Sequence, residues 1–113
     1  MPFINIKTNE SVTKETEVSL KAAFGQAITA IPGKSEDWLM VGIEPNYALY
    51  FKGTDAPAAM VEISIFGQAS NDAYDALTKE ICNVVTTHLN IPADRTYVKY
   101  TEISHWGWNN MNF

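Results

Sequence analysis

Residues 60–66 read Met-Val-Glu-Ile-Ser-Ile-Phe, an alternation that puts Val61, Ile63 and Ile65 on one side of an extended chain and Met60, Glu62, Ser64 and Phe66 on the other. Strict alternation of this kind belongs to a half-buried strand. The residues after it decide how the strand is used. Ser70 or Asn71 is placed to cap a helix whose stripe, Tyr74, Leu77, Ile81, Val84, Val85 and His88, recurs at spacings of three and four. Ile91-Pro92 ends that helix, and Tyr97 to Ile103 is extended again. Strand, helix, strand is the βαβ unit, expected to cross over in the right-handed sense.

The first half of the chain follows the same plan. Phe3-Ile4-Asn5-Ile6 reads as a short strand. Thr13 is a plausible helix cap, with Glu15 and Glu17 in the first turn, where the helix dipole favours negative charge. Leu20, Phe24, Ala27, Ile28 and Ile31 form one stripe, and Pro32-Gly33 stops it. Trp38 to Glu44 is expected as a strand with Leu39, Val41 and Ile43 on one face, and Ala48 to Lys52 as a further short strand before a loop at Gly53 to Pro57. A shift of sixty residues brings Ile31-Pro32 onto Ile91-Pro92 and Ile43 onto Ile103, the trace of an internal repeat. The expected fold is therefore α/β (α+β): two βαβ repeats forming a four-stranded mixed sheet with two helices on one face, since two helices can cover only one side of such a sheet. The uncovered side mixes Trp38, Met40, Met60, Phe66 and Tyr97 with Glu62, Ser64, Lys99 and Thr101. A wet subunit interface suits it; an open sheet face in a monomer is the plainer alternative.

The 113 residues read as one domain, 1–113, large enough for a real core. Eight Lys and Arg stand against thirteen Asp and Glu, for a formal charge of −5, which argues against a nucleic-acid or anionic-membrane footprint. Cys82 is the single cysteine, so no internal disulfide or CxxC pair can form, and it reads as core or semi-core. His88 and His105 lack ligand spacing, so no metal site is expected. With no secretory signal and no membrane-spanning run, the default compartment is the cytoplasm.

Chemistry is concentrated at the two chain ends. If Met1 is removed, Pro2 supplies a free secondary amine, and an α-amine titrates close enough to neutrality to serve as a base. If Met1 stays, the Pro2 nitrogen is an amide and has no such use. Lys34, just past the first helix, is either a solvated cation near the last carbonyls or an anion anchor. The tail, His105-Trp106-Gly107-Trp108-Asn109-Asn110-Met111-Asn112-Phe113, is too aromatic to fray and reads as a gasket between subunits, a wall for a planar ligand, or both. Asp94-Arg95 reads as a turn with a local ion pair, and Glu62 and Glu102 as solvated strand carboxylates.

Met1-Pro2, Gly33-Lys34, Asp94-Arg95-Thr96-Tyr97 and Gly107-Trp108-Asn109-Asn110 with Phe113 occur in one order over the whole chain. That combination resembles the macrophage migration inhibitory factor family of the tautomerase superfamily. The resemblance implies a ring-shaped homotrimer with sites at subunit boundaries and cofactor-independent keto–enol tautomerisation of small aromatic α-keto acids such as phenylpyruvate. It also implies an alternative, a cytokine-like protein that reaches a host receptor after export by an unconventional route. Matched position by position, Pro2 falls on the catalytic proline and Lys34 on the lysine that meets the substrate carboxylate. Trp38 stands for a pocket-wall tyrosine, Tyr97 for the tyrosine given by the adjacent subunit, and Trp106, Trp108 and Phe113 for the hydrophobic rim. The family's Ser-Ile-Gly backbone donor matches Ile65-Phe66-Gly67, or Ser64-Ile65 with a one-residue shift. Lys99 replaces an asparagine, which implies a second cation near the mouth. Ala58 and Val61 stand where the mammalian CxxC would be, so thiol–disulfide activity does not carry over.

Overall fold

The computed structural model describes residues 1–113. Its main sheet has four strands: β1 (Pro2–Thr8), β2 (Met40–Glu44), β3 (Ala59–Phe66) and β4 (Thr96–Ile103), ordered β2-β1-β3-β4. β1 and β2 run parallel, as do β3 and β4, while β1 and β3 are antiparallel. The sheet is thus two βαβ units joined along their first strands. Each crossover carries one helix, α1 (Lys14–Ala27) and α2 (Asn71–Leu89). Both caps fall where the sequence puts them. The Thr13 hydroxyl accepts from the Thr16 N–H and the Ser70 hydroxyl from the Ala73 N–H, each at 3.1 Å. Asn90 closes α2 in the left-handed conformation at φ 57°, which asparagine tolerates.

The core lies between the helices and one sheet face. Ile4 and Ile6 of β1, with Val61, Ile63 and Ile65 of β3, meet Leu20, Phe24 and Ile28 from the α1 side and Leu77, Ile81 and Val85 of α2, all buried. Each such side chain contributes roughly 1.5–3 kcal/mol by leaving water. Thr8 is the one buried polar residue, and its hydroxyl donates to the Ala58 carbonyl at 2.9 Å. Leu39, Val41 and Ile43 pack against the core's rim, and Cys82 is half-buried. On the uncovered face Glu62 joins three strands, 3.0 Å from Lys7 and 3.2 Å from Lys99.

Three expectations need correction. Trp38 does not open β2; it ends a 3₁₀ turn, Glu36–Trp38, and the strand starts at Met40. Ala48 to Lys52 is not a strand. Its only ladder-like contact is the bridge Phe51↔Thr54, because no neighbouring strand exists for it and side chains claim its carbonyls: Asn9 bonds that of Leu49, and Arg95 that of Phe51. Arg95 itself forms no local ion pair. Its guanidinium donates to the carbonyls of Pro57, Phe51, Thr54 and Ala56 at 2.8–3.3 Å, a cage that holds the 45–58 segment closed. No helix is long and apolar enough to cross a membrane.

Candidate active site

Pro2 is buried at the start of β1, a position a proline can take without wasting a ladder donor. Its place is fixed from both sides, by register against Ile65 of β3 and, one residue on, by Phe3 against Met40 of β2. Beside it opens a cleft of about 710 Å³. Met1, Pro2 and Phe3 form one side. Asp37, Trp38, Leu39 and Met40 form another, brought there by the 3₁₀ turn and the first residue of β2. Ile103, Trp106 and Trp108 close the third from the end of β4 and the tail.

The tail is built to hold its rings. β5 (Gly107–Trp108) and β6 (Met111–Asn112) pair across Asn109-Asn110, whose φ values of 52° and 71° give the two-residue left-handed turn that hairpins prefer. The Phe113 N–H donates to the Trp106 carbonyl at 3.0 Å. Trp108 then meets Trp38 edge-on at 5.1 Å and lies nearly parallel to Phe113 at 6.1 Å, while Phe113 rests 5.7 Å from Phe66. The rings form a connected wall, yet Trp108 is still 50% exposed. The tail is therefore a wall of the cleft within one chain, with surface left for a neighbour.

Electrostatics at the chain end are set by Lys34. Its ammonium donates to the Phe66 carbonyl at 3.1 Å, and the Phe66 N–H donates to the Met1 carbonyl at 3.0 Å. Of the two backbone registers the sequence leaves open, Phe66 rather than Ile65 or Ser64 presents its N–H to the chain end. The Met1 α-amine is pushed below its ordinary value of 8.0, first by burial and then by the charge and hydrogen bonding of Lys34. With Met1 gone, the Phe66 N–H loses its partner and is left as a donor aimed at whatever occupies the vacated position.

The structure lines one opening with Pro2, Trp38, Trp106 and Trp108, and links Lys34 and Phe66 to the chain end and Phe113 to Trp108 and Phe66 next to it, with Ile65 backing Pro2 through the sheet. It does not bring Tyr97 or Lys99 there. Tyr97 pairs with Met60 and Pro2 with Ile65, five residues apart on β3, or about 16 Å along the strand. Tyr97 instead lines a second pocket of about 210 Å³ with Phe51, Ala59 and Arg95. Lys99 is tied to Glu62. Sequence reasoning misses Asp37, Met40 and Ile103 as cleft residues. Asp37 carries one signal, its place directly before a predicted wall residue, but an acid in a turn between a lysine and a strand reads as solvent-facing. No group of three or more His, Cys, Asp or Glu is placed to hold a metal ion.

Comparison with known proteins agrees with this fold. The profile of the family described as macrophage migration inhibitory factor (MIF) matches residues 1–112. The macrophage migration inhibitory factor of Xenopus laevis is 28% identical over 100% of this chain and 99% of its own length. The crystal structure of Leishmania major MIF2 superposes with a TM-score of 0.94 at 33% identity, covering 100% of this chain and 97% of that one. The Toxoplasma gondii macrophage migration inhibitory factor shares the fold with a TM-score of 0.91 at 21% identity, over 98% of this chain and 99% of that one. The chain belongs to the macrophage migration inhibitory factor family.

Proposed function

We propose that, once Met1 is removed, this protein is a keto–enol tautomerase of small aromatic α-keto acids, phenylpyruvate being the simplest, with Pro2 as general base. The observation that carries the reading is the environment of the chain end. Burial first and then Lys34 lower the pKa of an amine placed there, the direction that favours a free base. Pro2 takes the proton from the carbon beside the ketone, and the electron pair of that C–H bond moves to form the C=C bond of the enolate. The ketone π pair moves to oxygen, which then receives the proton; the reverse path returns it to carbon. Lys34 and the freed Phe66 N–H hold the carboxylate and the developing negative charge. Trp38, Trp106, Trp108 and Phe113 enclose the aromatic ring.

A single chain lacks one expected part, the hydroxyl of Tyr97, which sits at the far end of the sheet. The site is complete in a cyclic homotrimer in which that end of one chain abuts the cleft of the next. The test is direct. Intact mass establishes whether the mature chain starts at Pro2, and kcat/KM for phenylpyruvate is compared between wild type and Pro2→Gly, whose initiator methionine is also removable. Exchanging the secondary amine for glycine's less constrained primary amine should lower kcat/KM about tenfold or more. A mature protein that keeps Met1, or a glycine variant as active as wild type, overturns the mechanism.

A further inference from the structure

Tyr97 is the residue that the proposed site needs and that a single chain keeps away from it. It is the second residue of β4 and is 57% exposed. The tyrosine hydroxyls bonded within the chain are those of Tyr74 and Tyr100; that of Tyr97 is free. Across the ladder it faces Met60, which offers its hydroxyl no partner, and Lys99, two residues on, is tied to Glu62. A tyrosine on the open face of an edge strand has several staggered positions for its ring. Only a defined one can serve a neighbouring chain.

Phe51 selects that position. Its ring meets the ring of Tyr97 edge-on, with centroids 4.9 Å apart and planes at 74°, the arrangement in which a positive ring edge faces a negative ring face. Phe51 is itself held from two directions. Lys52 and Gly53, at φ 52° and 76°, turn the chain so that Phe51 and Thr54 exchange both backbone hydrogen bonds, at 2.9 and 3.1 Å. The Arg95 guanidinium lies over the Phe51 ring at 5.3 Å and donates to the Phe51 carbonyl at 3.1 Å. Arg95 also closes the Ala93–Arg95 turn, its N–H donating to the Pro92 carbonyl at 3.0 Å, and Tyr97 follows two residues later. Arg95 thus fixes both partners of the aromatic contact. It sets the backbone from which Tyr97 projects, and it sets the ring against which Tyr97 rests.

We infer that Phe51 and Arg95 are positioning residues for the adjacent subunit: they hold the Tyr97 ring in one rotamer, so that its hydroxyl is presented preset to the neighbour's cleft. The inference rests on reading Tyr97 as the part of the keto-acid site that another chain supplies. A preset ring has no rotamer freedom left to lose when the substrate arrives, and the saving appears as rate. The arginine acts on a site that lies in a different chain and two side-chain contacts away.

The test is a double-mutant cycle on proteins with a mass-confirmed N-terminal proline. kcat/KM for phenylpyruvate is measured for wild type, Phe51→Leu, Arg95→Ala and Tyr97→Ala, and for each of the first two changes combined with Tyr97→Ala. Phe51→Leu keeps an apolar side chain in place but removes the ring edge, and should lower kcat/KM about threefold to tenfold, the scale of one aromatic pair. Arg95→Ala should lower it by a similar factor. Phe51→Tyr, which keeps the ring, should restore most of the activity. With Tyr97 already replaced, neither change should lower kcat/KM further, because the group they position is gone. General loosening of the segment would lower it in both backgrounds. NMR couplings of the Tyr97 side chain should report a single χ1 rotamer in wild type and an average in Phe51→Leu. Full activity in Phe51→Leu, equal losses with and without Tyr97, or an unchanged single rotamer overturns the inference. Tyr97→Ala as active as wild type removes Tyr97 from the site and the inference with it, while the Pro2 mechanism stands. A protein that shows the rotamer change but does not interconvert keto and enol forms refutes the tautomerase reading and leaves the hold on Tyr97 standing.

Discussion

The ammonium of Lys34 has two neighbours whose requirements agree. A protonated amine at the chain end is repelled by it, and a substrate carboxylate is attracted. Burial is the largest single cause of the lowering and Lys34 adds to it by charge and by hydrogen bonding, so Lys34→Ala should move the acidic limb of the kcat/KM–pH profile upward without abolishing it. The sign comes from the base being active only when neutral. Removing a nearby cation makes protonation easier, the pKa of the amine rises, and at fixed pH a smaller fraction of protein carries a free base. KM for phenylpyruvate should rise in the same variant, while Lys34→Arg keeps most of both effects. A pH profile with an unmoved acidic limb would show that burial alone sets the amine. Lys34 and the tryptophans are legible as candidates because a cation after a helix stop and rings in a tail are unusual residues in those places. Asp37 is not, because nothing in a Ser-Glu-Asp turn tells which of two acids folds back onto the helix and which is left free.

At the scale of the elements, two tethers act that the sequence hides. Arg95 closes the 45–58 segment through four carbonyls and lies over the Phe51 ring at 5.3 Å. Arg95→Ala removes donors from carbonyls that are exposed except that of Phe51, and should cost about 1 kcal/mol, with a Tm lower by a few degrees for a domain of this size. Hydrogen exchange should accelerate in 47–57 while the core of α2 stays protected; uniform acceleration would mean that the cage is not local. The second tether is Glu62, whose carboxyl is held below its usual 4.5 by its hydrogen bonds to Lys7 and then Lys99. A depressed carboxylate stabilises the fold above its unfolded pKa, and that stability is lost as pH falls through the lower native value. The pair is largely at the surface, so the effect is small. Glu62→Gln should melt slightly below wild type at pH 7, and the difference should shrink as pH falls below 4.5 and vanish once Glu62 is protonated in the folded state. The long elements are legible because periods of two and near four survive in β1, β3, α1 and α2. The 48–52 segment misleads because Tyr50 and Phe51 favour strands, but its carbonyls bond to side chains, a choice made by Asn9 and Arg95 far away in sequence. Trp38 is displaced from β2 by the same kind of distant cause: its turn is held by α1, through Glu36.

The whole molecule exposes more than a self-sufficient monomer should. Its accessible surface is 6720 Å², against roughly 6,200 Å² for a monomer of its mass. The excess is apolar where it matters, with Met40 at 68%, Tyr50 at 70% and Tyr97 at 57% exposed. β2 and β4 are both free sheet edges, which proteins rarely leave bare. The proposed ring would cover edges and aromatics together and set Tyr97 of one chain at the Pro2 end of the next. That arrangement predicts complementation between two defective chains. Pro2→Gly exchanges the secondary amine for a poorer base, and Tyr97→Ala lacks the hydroxyl that the neighbour needs; each alone should be impaired. Unfolded together in equal amounts and refolded, they assemble at random. A site is intact when its own chain carries Pro2 and its neighbour carries Tyr97, so about one site in four is restored. Activity near a quarter of wild type, absent when the two proteins are refolded apart and then mixed, is the expected result. No recovery in co-refolded material of confirmed mixed composition would place Tyr97 outside the site of any subunit, and the cleft would then have to work with the residues of one chain.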